Sequence, residues 1–156
     1  MSLETKLSLS DDTLKHLQEL IQTNIDSSEG LVSAAERVDD HRVASTFREI
    51  AQERTNNARE LQSYVTANAK EAQTEGSTIG AIHRGWTAMR AAINGGDPYV
   101  ILIEAERGED RIKEQYEDVL LHTAGSAVND VLQRQFAGIV KGHDLIRDLR
   151  DVYKFK

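Results

Sequence analysis

The chain is 156 residues long, the size of one domain, and its 39% hydrophobic residues rise to about 45% with the ten glycines, at the lower edge of the globular range. A formal net charge of −7 argues against a nucleic-acid partner, because it opposes the phosphate backbone, and the lack of cysteine excludes disulfides, thiolate nucleophiles and Cys-ligated metal clusters. The longest apolar run is Tyr99–Ile103, and no apolar stretch follows the first residues, so the sequence predicts no membrane insertion and a cytoplasmic protein.

One proline, few aromatics and abundant Ala, Leu, Glu, Gln and Arg favour helix nearly everywhere. The first long helix, about 11–38, opens behind Ser10 as N-cap, with Asp11 and Asp12 at the positive end of its dipole. Its seam is Leu14, Leu17, Ile21, Asn24, Ser28, Leu31, Ala35 and Val38, in steps of three and four. After a short break at Asp39-Asp40 the second helix, about 41–69, continues with Val43, Phe47, Ile50, Arg54, Asn57, Leu61, Tyr64 and Asn68. So short a break predicts an antiparallel hairpin. The polar stretch Lys70–Thr78 reads as a loop leading to a shorter helix, about 79–93, with Ile79, Ile82, Trp86, Met89 and Ile93 on one stripe. Asp97 and Pro98 then supply an N-cap and first-turn proline for a third long helix, about 98–122, carrying Leu102, Ala105, Glu109, Ile112, Tyr116 and Val119. A turn at Gly125-Ser126 precedes the last helix, about 126–154, with Val128, Val131, Leu132, Gln135, Ile139, Gly142, Ile146, Leu149 and Tyr153.

Residues 1–156 therefore form a single all-α domain of two helical hairpins. A helix of about 28 residues is about 42 Å long, and neighbouring antiparallel helices need a link of only about 2–8 residues. About 28 residues separate the second and third long helices, enough to return along the whole bundle. The predicted fold is thus a four-helix bundle with a long helical crossover between its hairpins, the ferritin-like arrangement.

The seams lose their apolar character near mid-helix, at Asn24 and Ser28, Arg54 and Asn57, Glu109, and Gln135. A hairpin turn at 39–40 sets Ser28 level with Gln52 and Asn24 near Asn56; a turn at 123–124 sets Glu109 opposite Gly138. These six interruptions are expected to form one polar layer. On a helical wheel Arg54 and Glu109 fall near the centres of their apolar faces and Glu29, Glu36, Glu53 and Glu104 at the flanks, so Arg54 and Glu109 are predicted to be buried and paired. His143 falls within reach of the layer, beside Gly138 and Gly142.

Three readings of the layer follow. It is a structural ion-pair and hydrogen-bond layer that fixes register, a reduced iron or manganese site, or a small-molecule site. The metal ligands would be Glu29, Glu53, Glu104, Glu109 and His143. A di-iron carboxylate centre takes a Glu from each of two helices and Glu-x-x-His from the other two. No Glu-x-x-His is present, and Arg54 would repel a dication, which favours the structural reading with no cofactor. His16, His41 and His122 are expected to be solvated, and Tyr64 and Tyr116 to be core residues. No phosphate loop, nucleotide fingerprint or local catalytic motif occurs.

The chain also resembles a small bacterial family of ferritin-like four-helix-bundle proteins of unknown function. The resemblance spans essentially the whole chain. It is carried by Glu29-Gly30, Ala34-Ala35-Glu36, His83-Arg84-Gly85-Trp86, Glu104-Ala105-Glu106-Arg107-Gly108-Glu109-Asp110 with Tyr116, Gln133-Arg134-Gln135 and His143-Asp144. Members of that family often carry a cysteine where Ala105 stands, so a thiol role does not apply to this chain. The resemblance implies the bundle fold and a stress-related or metal-related role. The expected function is a non-catalytic interaction or structural module with an unidentified protein partner, the alternative being an iron- or manganese-binding bundle. Trp86, Met89 and Tyr99 near one end are expected to support a homodimer.

Overall fold

The computed structural model describes residues 4–77 and 97–156. Four long helices account for most of them: α1 (Asp11–Arg37), α2 (His41–Ala67), α3 (Pro98–His122) and α4 (Asn129–Tyr153). Each start has a local cause. Ser10 Oγ accepts from Thr13 N, Asp40 accepts from the amides of Arg42 and Val43, and Asp97 accepts from Tyr99 N ahead of Pro98. At the end of α2, Lys70 N donates to Val65 O and Ala69 N to Thr66 O, a Schellman closure in which Ala69 takes the left-handed conformation usually left to glycine (φ 59°). The last helix begins three residues later than its pattern suggests. Gly125 (φ 82°) turns the chain, and Ser126–Val128 remain in turns with Asn129 N donating to Ser126 O.

Side-chain pairs fix the directions of the helices. Asn24 meets Asn57 and Ser28 meets Thr55, so α1 and α2 are antiparallel. Ser27 meets Glu109 and Asn24 meets Tyr116, so α1 and α3 are antiparallel as well. It follows that α2 and α3 run the same way. The described residues that follow α2, up to Ser77, lie back along α1. Gln18 bonds Glu71 O and Gln73 N, Gln62 bonds Gln73 O, and Ser77 reaches the buried Asp26, two turns further along α1. A Cβ on Gly76 would stand 2.1 Å from Asp26 Oδ1, so glycine permits this close approach. The helix expected at about 79–93, with Trp86 and Met89, lies outside the described residues.

The apolar core comes in two clusters. One gathers Leu17, Ile21, Leu61, Ile112, Tyr116 and Leu132 toward the end where α1 begins. The other gathers Leu31, Phe47, Ile50, Ile101, Leu102 and Ile146 toward the end where α1 finishes. Between them lies a polar layer.

An N-terminal clasp closes the first end. Glu4 Oε1 accepts from Ser10 N and the Thr13 hydroxyl, while its Oε2 accepts from the Ser126 hydroxyl and Ala127 N. Asn68, which caps the C-terminus of α2, accepts from Leu9 N and donates to Lys6 O, and Lys6 pairs with Asp130 on α4. Residues 4–10 thus tie together α1, α2, α4 and the α3–α4 turn.

Candidate functional site

The polar layer is built on seam positions. Arg54 and Glu109 are both fully buried, and Arg54 Nη2 donates to Glu109 Oε2 at 2.6 Å. Arg54 Nη1 donates to Glu53 Oε1 at 3.2 Å, and Glu53 keeps partial contact with solvent. Ser27 Oγ donates to the other oxygen of Glu109 at 3.1 Å. A second chain of bonds crosses just below. Asn57 donates to Asn24, Asn24 to the Tyr116 hydroxyl, Tyr116 to Gln135 Oε1 at 2.8 Å, and Gln135 Nε2 to Glu60 Oε1 at 2.8 Å. Glu60 also holds Arg134 at 2.6 Å. Burial by itself would raise the Glu60 carboxyl, yet the bonds from Arg134 and Gln135 bring it below its ordinary value. Burial pushes the Tyr116 phenol up, so it stays protonated and acts as a donor.

Glycines on α4 make room for the ion pair. A Cβ on Gly142 would stand 2.6 Å from Arg54 Nη2, and one on Gly138 would stand 2.2 Å from Glu53 Oε1. Arg54 Nε is buried with no hydrogen-bond partner, so the guanidinium is held through its two terminal nitrogens alone.

Of the expected layer, Asn24, Arg54, Asn57, Glu109 and Gln135 are buried where their seams put them. Ser28 is the exception: it turns to Thr55 (2.7 Å) in the outer groove of the α1–α2 pair, and Ser27 takes its place at Glu109. Both serines satisfy a three-or-four step from Asn24 to Leu31, and periodicity alone does not choose between them. The α3–α4 register also differs from the expected one. Tyr116 meets Gln135 and Asp110 meets His143, so Glu109 lies about one turn further along α4 than opposite Gly138. The non-helical residues 123–128 lengthen the connection and move the pairing.

The five candidate metal ligands disperse. Glu29 is exposed on the outer groove, which is lined also by Ile25, Ser28, Thr55, Arg59 and Gln62, with a hollow of about 240 Å³. Glu104 pairs with Arg107 at 2.9 Å on the same helix. Glu53 and Glu109 both face Arg54. His143 is buried and bonds Asp110 (Nε2 to Oδ1, 2.6 Å) and Asp144 (Nδ1 to Oδ1, 3.2 Å), and its hydrogen bond holds the Asp144 carboxyl below its ordinary value. Among the described residues, no group of three or more His, Asp or Glu side chains converges to hold a metal ion. Glu36 is exposed, as expected, and Tyr99 is half-buried in the first turn of α3.

Several participants carry no distinctive sequence signal. Thr23 bonds Gln115, Asp26 bonds Ser77, and Glu60 reaches Gln135, each from the flank of an apolar face. Glu4 lies outside any periodic segment, so its role is visible only in three dimensions.

Fold and layer define an all-α four-helix bundle with a polar, charged mid-section. The chain belongs to the family described as "Domain of unknown function (DUF2383)", which it matches over residues 12–122. No curated protein matches it. None of the described helices is long and apolar enough to cross a membrane.

Proposed function

We propose that this protein is a non-catalytic bundle of ferritin-like topology that serves as a structural or interaction module, its mid-bundle layer held by an internal cation instead of a metal. The observation that carries this reading is the position of Arg54. Its guanidinium lies between the carboxylates of Glu53 and Glu109, where charge compensation by a metal would otherwise be needed. Its fixed positive charge opposes a dication at the same place. The Arg54-x-x-Asn57 spacing sends both side chains inward from α2, as a Glu-x-x-His pair would, but it supplies a cation and an amide.

Elemental analysis tests the reading. Protein purified without chelator or immobilised nickel, and again after anaerobic iron or manganese loading, is expected to hold neither metal in near-stoichiometric amount. Iron or manganese near one per chain that disappears in Glu109→Gln would overturn it.

A further inference from the structure

At the clasped end of the bundle, away from the polar layer, residues 4–9 lie against the helices as a short strap. Among the described residues the strap's backbone pairs with itself, Thr5 with Ser8, and with the backbone of no helix. Thr5, Leu7 and Ser8 face solvent, so the strap is anchored by the side chains of Glu4, Lys6 and Leu9. Leu9 is buried in the apolar cluster that also holds Leu14, Leu61 and Val128. Lys6 meets Asp130 at 3.1 Å, an exposed pair that adds little. Glu4 is held most closely. Its carboxylate accepts from two backbone amides, Ser10 N (2.8 Å) and Ala127 N (3.4 Å), and from the hydroxyls of Thr13 (2.7 Å) and Ser126. Two of these donors stand at the start of α1 and two in the turn before α4, so separate elements converge on one carboxylate. Backbone amides only donate, so the cradle suits an acceptor-only carboxylate better than a side-chain amide.

We propose that the strap is the internal occupant of an interaction site, and that a partner segment with a carboxylate and, five residues further on, a leucine-like side chain takes its place there. The inference rests on the reading of this protein as an interaction module, and it names the surface and the partner's chemistry. The occupant seen in the site defines the ligand. Glu4 supplies the charge and Leu9 the apolar anchor, while the exposed residues between them set the spacing. A segment fastened by a few side chains, with no backbone ladder to the helices, belongs to the parts of a protein that open at low cost. Opening leaves the receptor in place: Ser10 and Thr13 stay at the start of α1, Ser126 and Ala127 in the turn before α4, and Asn68 at the end of α2. A site assembled before its ligand arrives avoids the cost of ordering. The strap therefore acts as an autoinhibitory contact, because a partner has to compete with a ligand already tethered to the site.

Fluorescence anisotropy at neutral pH tests this, with the full-length chain and a labelled, end-capped peptide of residues 4–9 as the probe. In Glu4→Gln, and in Glu4→Gln combined with Leu9→Ala, the strap loses one or two anchors while every cradle residue is kept; unchanged helical circular dichroism verifies the fold of each. The expected result is saturable binding to both variants and binding at least about tenfold weaker to the parent, whose own strap keeps the site occupied. Replacing the peptide's Glu by Gln, or adding Ser126→Ala to the single variant, is expected to weaken binding by about tenfold or more, since each removes a hydrogen bond to a charged group. No saturable binding to the single variant, binding to the parent as tight as to the variants, or binding indifferent to the peptide's carboxylate would overturn the proposal. Those failures count against this site alone. Iron or manganese held through Glu109 would refute the Arg54 reading without altering the peptide result.

Discussion

Tyr116 shows how a single side chain joins the apolar core to the polar layer. Its ring belongs to the apolar cluster near the start of α1, while its hydroxyl accepts from Asn24 and donates to Gln135. Tyr116→Phe keeps the ring but leaves one Asn24 N–H and the Gln135 Oε1 without the hydroxyl, and is expected to lower stability by about 1–3 kcal/mol in urea unfolding. The sequence places this side chain on its seam; the hydroxyl's partners depend on register, which the pattern does not resolve. Glu4 makes a second residue-scale prediction. Burial alone would raise its carboxyl, but hydrogen bonds from Ser126, Ser10 and Thr13 hold it at about 2, against an ordinary 4.5. A carboxyl depressed in the folded state stabilises above its unfolded value and loses that contribution as pH falls through the folded one. Between pH 4.5 and 2 the parent protein is therefore expected to lose stability more steeply than Glu4→Gln, as followed by urea midpoints at successive pH values.

At the scale of elements, helix identity and seam were readable because a continuous heptad-like step has only one structural solution. The starts of α1 and α3 were readable from Ser10 and from Asp97-Pro98, whose capping chemistry is local. The start of α4 was not, because the turns at 126–128 are set by Gly125 and by the distant Glu4 carboxylate on Ser126. The glycines of α4 follow the same logic of contact. Gly142 faces a fully buried guanidinium clamped at two nitrogens, so Gly142→Ala forces it to move and is expected to destabilise by about 1–3 kcal/mol. Gly138 faces the end of the partly exposed, flexible Glu53, so Gly138→Ala is expected to be neutral or to gain a few tenths of a kcal/mol from helix propensity. Thermal melts of the two variants distinguish them; equal losses would show that Arg54 is not the constraint.

At the scale of the molecule, the polar layer divides the core where α1, α2, α3 and α4 all contribute. Alternative registers of such a bundle would bury Arg54 or Glu109 against apolar groups, at a cost of several kcal/mol for each uncompensated charge. The ion pair therefore selects one alignment more than it adds net stability. That Arg54 and Glu109 would pair was legible from sequence, because a charge at the centre of an apolar face has few ways to be satisfied. The scatter of Glu29, Glu104 and His143 was not, since a carboxylate or imidazole at a flank can turn toward either the layer or the surface. The most direct test is a double-mutant cycle in urea on Arg54→Met and Glu109→Leu. Each single substitution is expected to cost about 3–5 kcal/mol by leaving its partner's charge buried, and the double far less than their sum. Small and additive effects would contradict the account.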